Sequence, residues 1–196
     1  MKLNAVAVYC GASSGNLPVY TESAKDLGGL LARRGIRLVY GGGGIGLMGA
    51  VADGALAAGG DVTGVIPDRL MEAELGHRGV HDMRVVASMH ERKATMASLS
   101  DAFVILPGGF GTLDELFEAA TWSILRYHQK PCGILNVGGY YDPLVAMMDR
   151  IVDSGFLPAA QRQIVVVNED PAALLDELAA WNAPPSRLDF FKGPRP

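Results

Sequence analysis

The sequence predicts a single α/β domain built on one doubly wound, mainly parallel sheet with helices on both faces. Three observations carry this. Short apolar runs that read as strands alternate with helix-period segments along nearly the whole chain. Three of those strands run into glycine-rich turns that open helices, so the turns gather at one sheet edge. The chain has 196 residues, 49% of them hydrophobic, enough for one sizeable core.

In order, Ala5 to Tyr9 reads as the first strand, followed by the small-residue turn Cys10-Gly11-Ala12-Ser13-Ser14-Gly15. Pro18 opens a helix whose buried face is Ala24, Leu27, Leu30 and Leu31, and Gly35 ends it. Ser13 and Ser14 either cap this helix or donate to a phosphate; the local sequence favours capping. Ile36 to Tyr40 is the second strand. The turn Gly41 to Gly49 follows it, then a helix through Val51, Ala52, Ala55 and Leu56. Gly44-x-Gly46-x-x-Gly49 fits the dinucleotide pattern, with Asp68 about 20 residues on as a ribose-binding acid. The pattern follows the second strand rather than the first, and in a chain with 25 glycines it is a weak signal. The turn, Gly43 and Gly44 included, is read as part of a nucleotide pocket.

Val62 to Ile66 is the third strand. Residues 68–82 are polar and lack a period, and a loop that long is often functional. Its His77-x-x-x-His81 pair is half of a metal pattern without further ligands, so no metal site is expected. Met83 to Ala87 is a short strand, and Ser88 caps a helix from Met89 to Leu99. At about 100° per residue, Arg92 and Lys93 share the side that carries Met89, Met96 and Leu99. Either their long chains snorkel outward or they point into a methionine-lined pocket. Pro131 to Asn136 and Ile164 to Val167 complete the strands, and Tyr140 to Val152 and Pro171 to Trp181 the helices. The domain is assigned to residues 1–181, and 182–196 to a Pro-rich tail, loose or packed on a neighbour.

The stretch from Ala102 to Glu115 organises the rest. A strand ends at Leu106, breaks at Pro107, runs through Gly108, Gly109 and Gly111, and enters a helix at Thr112. Strand, glycine turn and helix N-terminus make an anion site, because free N–H groups and the helix dipole face outward. Thr112-x-x-Glu115 also fits a capping box, which would give Glu115 a purely structural task.

Composition excludes several classes. A net charge of −4 lacks the basic face that nucleic acid requires. No run reaches the ~20 apolar residues of a membrane span. The start has no signal-peptide layout. Cys10, closing one apolar run, and Cys132, within another, are expected as buried reduced thiols, which together suggests a cytoplasmic protein.

Met89-His90-Glu91-Arg92-Lys93 together with Pro107-Gly108-Gly109-Phe110-Gly111-Thr112-Leu113-Asp114-Glu115 resembles the LOG (Lonely Guy) family, cytokinin riboside 5′-monophosphate phosphoribohydrolases with a Rossmann-like fold. The turns at 10–14 and 41–49 are similar to the family's, and the likeness runs from about Ala5 to Leu178. The resemblance implies hydrolysis of the N-glycosidic bond of AMP or an N6-substituted AMP, no cofactor, and a homodimer or larger homo-oligomer with pockets close to the interface. It assigns Arg92 and Glu115 to catalysis. It assigns Glu74, Met89, Lys93, Gly108, Gly109, Gly111, Thr112 and Thr121 to substrate binding, with Gly11, Ser13, Ser14, Gly43 and Gly44 as weaker pocket positions. Relatives also carry the label lysine decarboxylase.

The residues suit that chemistry. Cleavage passes through an oxocarbenium-like sugar, which a carboxylate such as Glu115 stabilises while orienting or deprotonating water. Arg92 would meet the charge gathering on the purine, although a guanidinium is a poor proton donor. Three other classes stay open at this point: a nucleotide or molybdenum-cofactor carrier without turnover, a dinucleotide-dependent oxidoreductase, and a pyridoxal-phosphate decarboxylase for which Lys93 is the candidate lysine.

Overall fold

The computed structural model describes residues 1–73 and 75–185. Glu74 and most of the Pro-rich tail, residues 186–196, lie outside the described residues. The elements follow one another as β1 (Ala5–Tyr9), α1 (Pro18–Arg33), β2 (Arg37–Tyr40), α2 (Gly46–Ala57), β3 (Val62–Pro67), α3 (Asp68–Glu72), β4 (Asp82–Val86), α4 (Met89–Ser98), β5 (Ala102–Ile105), α5 (Phe110–Ile124), β6 (Cys132–Leu135), α6 (Asp142–Asp153), α7 (Ala159–Arg162), β7 (Val165–Asn168) and α8 (Pro171–Ala180). A short 3-10 turn, Val137–Gly139, leads from β6 towards α6.

The seven strands form one sheet in the order β4-β3-β2-β1-β5-β6-β7, and every pairing in it is parallel. The chain steps outward from β1 to β4, then returns to the other side of β1 with β5. The order therefore reverses at β1, and the crevice at the carboxyl ends of β2, β1 and β5 is the place such sheets bind ligands.

Two apolar layers cover the sheet, and β1 shows why. Its Val6 and Val8 join Leu27 and Leu31 of α1, Val51 of α2 and Leu174 and Leu178 of α8. Its Ala7 and Tyr9 join Met96 of α4, Leu116 of α5 and Met148 of α6. Alternate residues of a strand point to opposite faces, so a strand buried on both reads as an unbroken apolar run. Cys10 and Cys132 are both buried and unpaired, in different layers. Among the described residues, no helix is long and apolar enough to cross a membrane.

Two expectations are corrected. Helix α1 starts from Leu17, with no side chain capping it, so Ser13 and Ser14 are not its caps. The polar segment after β3 is not wholly irregular, because Asp68–Glu72 forms a short helix on the sheet's rim.

Candidate active site

Helix α4 is fixed at its start by reciprocal bonds. Ser88 Oγ accepts from the Glu91 N–H (3.1 Å), and Glu91 Oε2 accepts from the Ala87 N–H (2.8 Å). Arg92 follows one turn in, on the face against the sheet. Its Nε donates to Val65 O at the end of β3 (3.2 Å), and its Nη1 donates to Glu115 Oε1 on α5 (2.9 Å). The guanidinium fills the space that a side chain on residue 41 would need. A Cβ on Gly41 would stand 1.8 Å from Arg92 Nη2, so any side chain where the turn after β2 passes over the guanidinium would displace it. Lys93 lies beside Arg92, with Nζ 3.0 Å from Asp114 Oδ2 and 2.9 Å from Glu118 Oε2.

Helix α5 opens at Phe110 with Gly109 as its N-cap, so Thr112 sits inside the first turn and the capping box does not form. Glu115 reaches across to Arg92 instead. The reason is tertiary: the arginine partner is 23 residues away in sequence. Glu115 is 7% exposed and Arg92 5%. Burial pushes the Glu115 carboxyl up to about 7, against the pull of Arg92 and, more weakly, Lys93. Close packing also dictates Gly108, since a Cβ there would stand 2.1 Å from Thr112 Oγ1.

The turns are tied together. Gly11 N–H donates to Pro107 O (3.0 Å), Leu47 N–H to Gly11 O (3.1 Å), and Gly44 N–H to Leu75 O (2.9 Å). Between them lies a cavity of about 650 Å³. It brings together Gly11, Ser13, Ser14, Gly43, Met89, Arg92, Lys93, Gly108, Gly109, Gly111, Thr112 and Glu115. Arg92 and Lys93 are thus buried against a pocket that Met89 also lines, rather than snorkelling to solvent.

Two expected positions are not brought there, and a third is not described. Gly44 is turned to Leu75 and does not line the cavity. Thr121 lies further along α5, on a separate cavity of about 490 Å³ beside Trp122 and His128. Glu74 falls outside the described residues. The dinucleotide pattern does not assemble either: Asp68 accepts from the neighbouring Arg69 N–H at the start of α3 and does not line the cavity. Among the described residues, no group of three or more His, Cys, Asp or Glu is placed to hold a metal ion.

Sequence reasoning missed the cavity's apolar and aromatic walls. Ile66, Leu70 and Leu75 line one end, Tyr20 and Tyr140 another. Tyr140 had a signal, since Gly138-Gly139 after β6 makes a fourth glycine turn at the same sheet edge. Leu70 and Leu75 had none, because no period marks their segment.

A family model described as possible lysine decarboxylase matches residues 48–178. A probable cytokinin riboside 5′-monophosphate phosphoribohydrolase of Oryza sativa subsp. japonica is 52% identical over 161 residues, spanning 82% of this chain and 72% of that protein. A cytokinin riboside 5′-monophosphate phosphoribohydrolase of Arabidopsis thaliana is 46% identical over 181 residues, spanning 92% and 84%. The solved molybdenum cofactor binding protein of Rippkaea orientalis matches with a TM-score of 0.70 at 22% identity, over 92% of this chain and 98% of that one, a likeness of fold. With a family match across most of its length and relatives near half identity, the chain belongs to the LOG family.

Proposed function

We propose that the protein hydrolyses the N-glycosidic bond of cytokinin riboside 5′-monophosphates, of AMP, or of both, releasing the free base and ribose 5-phosphate. The observation that carries this is the buried Arg92–Glu115 pair, 2.9 Å apart, beside the glycine turn that opens α5. The first turn of a helix leaves its N–H groups without intrahelical partners, a ready anion site. Gly109 and Gly111 meet no protein atom within 4 Å of an added Cβ, so packing does not demand them. A phosphate seated against the backbone does.

With the phosphate held on residues 108–112, C1′ of the sugar lies towards Glu115. The C1′–N9 bond breaks and its electron pair leaves with the base. The ionised Glu115 stabilises the positive sugar and receives a proton from the water whose oxygen bonds to C1′. Arg92 holds Glu115 and meets negative charge on the departing base. The base takes a proton from solvent on release, and Glu115 gives the water's proton back to solvent, which restores the ionised carboxylate. Lys93 suits phosphate contact and does not suit a Schiff base: its hydrogen bonds to Glu118 and Asp114 outweigh burial and keep its pKa above the ordinary lysine value. A pyridoxal-phosphate lysine must shed its proton to attack, which two carboxylates 3.0 and 2.9 Å from Nζ oppose.

The assembly we propose is a homodimer in the cytoplasm. Phe110 and Phe117 of α5 and Leu125 just past its end are exposed, Phe110 by 93%, an apolar stripe that a second copy would cover. Two buried, unpaired thiols suit a reducing compartment.

Chromatography of AMP and of N6-isopentenyl-AMP after incubation with the purified protein tests the activity. Free base and ribose 5-phosphate from either supports it and ranks the two bases. AMP binding without product from either moves the protein to the carrier class.

A further inference from the structure

The β6–α6 connection braces the glycine turn at 107–109 from the side. Gly138 and Gly139 both have positive φ (59° and 71°), and after them the hydroxyls of two consecutive tyrosines reach the turn that follows β5. Asn136 locks the turn: its Oδ1 accepts from Tyr141 N–H (2.8 Å), and its Nδ2 donates to Asp142 Oδ1 (2.7 Å). Tyr141 OH donates to Leu106 O (2.8 Å), and Tyr140 OH donates to Gly108 O (2.7 Å). From the other side, Gly11 N–H donates to Pro107 O. The carbonyls of Leu106, Pro107 and Gly108 are thus all engaged by the protein. Tyr140 is held in turn by the edge of the Tyr20 ring, 5.8 Å between centroids at 75°, and both rings line the cavity.

Saturating those acceptors has an electrostatic consequence. A carbonyl oxygen facing a phosphate repels it, whereas an N–H attracts it. In a trans peptide the two point in opposite directions. A donor on the carbonyl of Gly108 therefore fixes where the Gly109 N–H points.

We propose that Tyr140 is a positioning residue for phosphate recognition: its hydroxyl holds the Gly108 carbonyl away from the bound anion and so presents the Gly109 N–H to the 5′-phosphate of a nucleotide. This rests on the reading that residues 108–112 hold that phosphate. Glycine at 108 and 109 makes the peptide between them easy to rotate, which is why a side chain outside the turn is needed to hold it.

The test is calorimetry with ribose 5-phosphate and with adenine, on the full chain and on Tyr140→Phe, which keeps the ring and removes the donor. Ribose 5-phosphate is expected to bind about five- to tenfold more weakly to the variant, the scale of one hydrogen bond. Adenine binding is expected to stay within twofold. In turnover, KM for AMP rises by the same factor while kcat changes less than twofold. Unchanged ribose 5-phosphate affinity overturns the proposal, and so does an equal loss for adenine, which marks general damage to the cavity. If the wild-type chain binds adenine and not ribose 5-phosphate, the phosphate reading itself falls, a result distinct from failure of the variant alone.

Discussion

Two cation–carboxylate contacts lie one residue apart on the same two helices, and they behave differently. Arg92 with Glu115 is sealed, with side chains 6% and 8% exposed. Lys93 with Asp114 and Glu118 is open on the acid side, where Asp114 is 64% exposed. In the inner pair, loss of water outweighs the attraction of the arginine and lifts Glu115 to about 7. In the outer cluster, hydrogen bonds to the two carboxylates outweigh burial and raise the Lys93 pKa. The same side-chain chemistry thus yields a carboxylate poised between its two states and a permanently charged ammonium. The first suits proton transfer, the second electrostatic binding.

The comparison breaks most visibly at Arg92. Arg92→Ala is expected to lower kcat by about 10²–10³, the cost of removing one preorganised electrostatic group. It also removes the influence that lowers the Glu115 pKa. The wild-type rate needs ionised Glu115 and should rise with pH through about 7; in Arg92→Ala that rise moves to higher pH. A pH–rate profile of both proteins checks this. The same shift affects stability. Since the folded value of Glu115 lies above the ordinary 4.5, its contribution to stability declines as pH rises from about 4.5 to about 7.

Gly41→Ala sharpens the comparison without touching either charge. Its Cβ would displace Arg92 Nη2, so the inner pair should part while the outer cluster stays. The expected cost is about 1–3 kcal/mol in urea unfolding, with loss of activity in the direction of Arg92→Ala. Lys93→Ala should have the smallest effect: KM for AMP up by about tenfold, the scale of a charge-assisted hydrogen bond, with kcat little changed.

Much of this was legible in the sequence, for physical reasons. Strands buried on both faces leave unbroken apolar runs, and glycine turns mark where they end, so β1, β2, β3 and β5 were found to within a residue or so. Helical periodicity placed Arg92 and Lys93 on the inward side because a helix fixes the angle between neighbours. The failures came from local patterns with distant competitors. Thr112-x-x-Glu115 looks like a capping box until Arg92 arrives from another helix. Ser13 and Ser14 look like caps until Leu17 takes the helix start. Tyr140 and Leu75 reach the cavity through the order of the strands and the path of a loop, which local spacing does not encode.

The central claim is that the sealed carboxylate performs the hydrolysis and the exposed one beside it does not. The direct measurement sets Glu115→Gln against Asp114→Asn, scoring AMP affinity and the rate of free-base release. Glu115→Gln should bind AMP within a few-fold of wild type and release base at least about 10² times more slowly, while Asp114→Asn stays within about tenfold of wild type. Normal base release by Glu115→Gln would contradict the account and leave Glu115 with only the task of holding Arg92 in place.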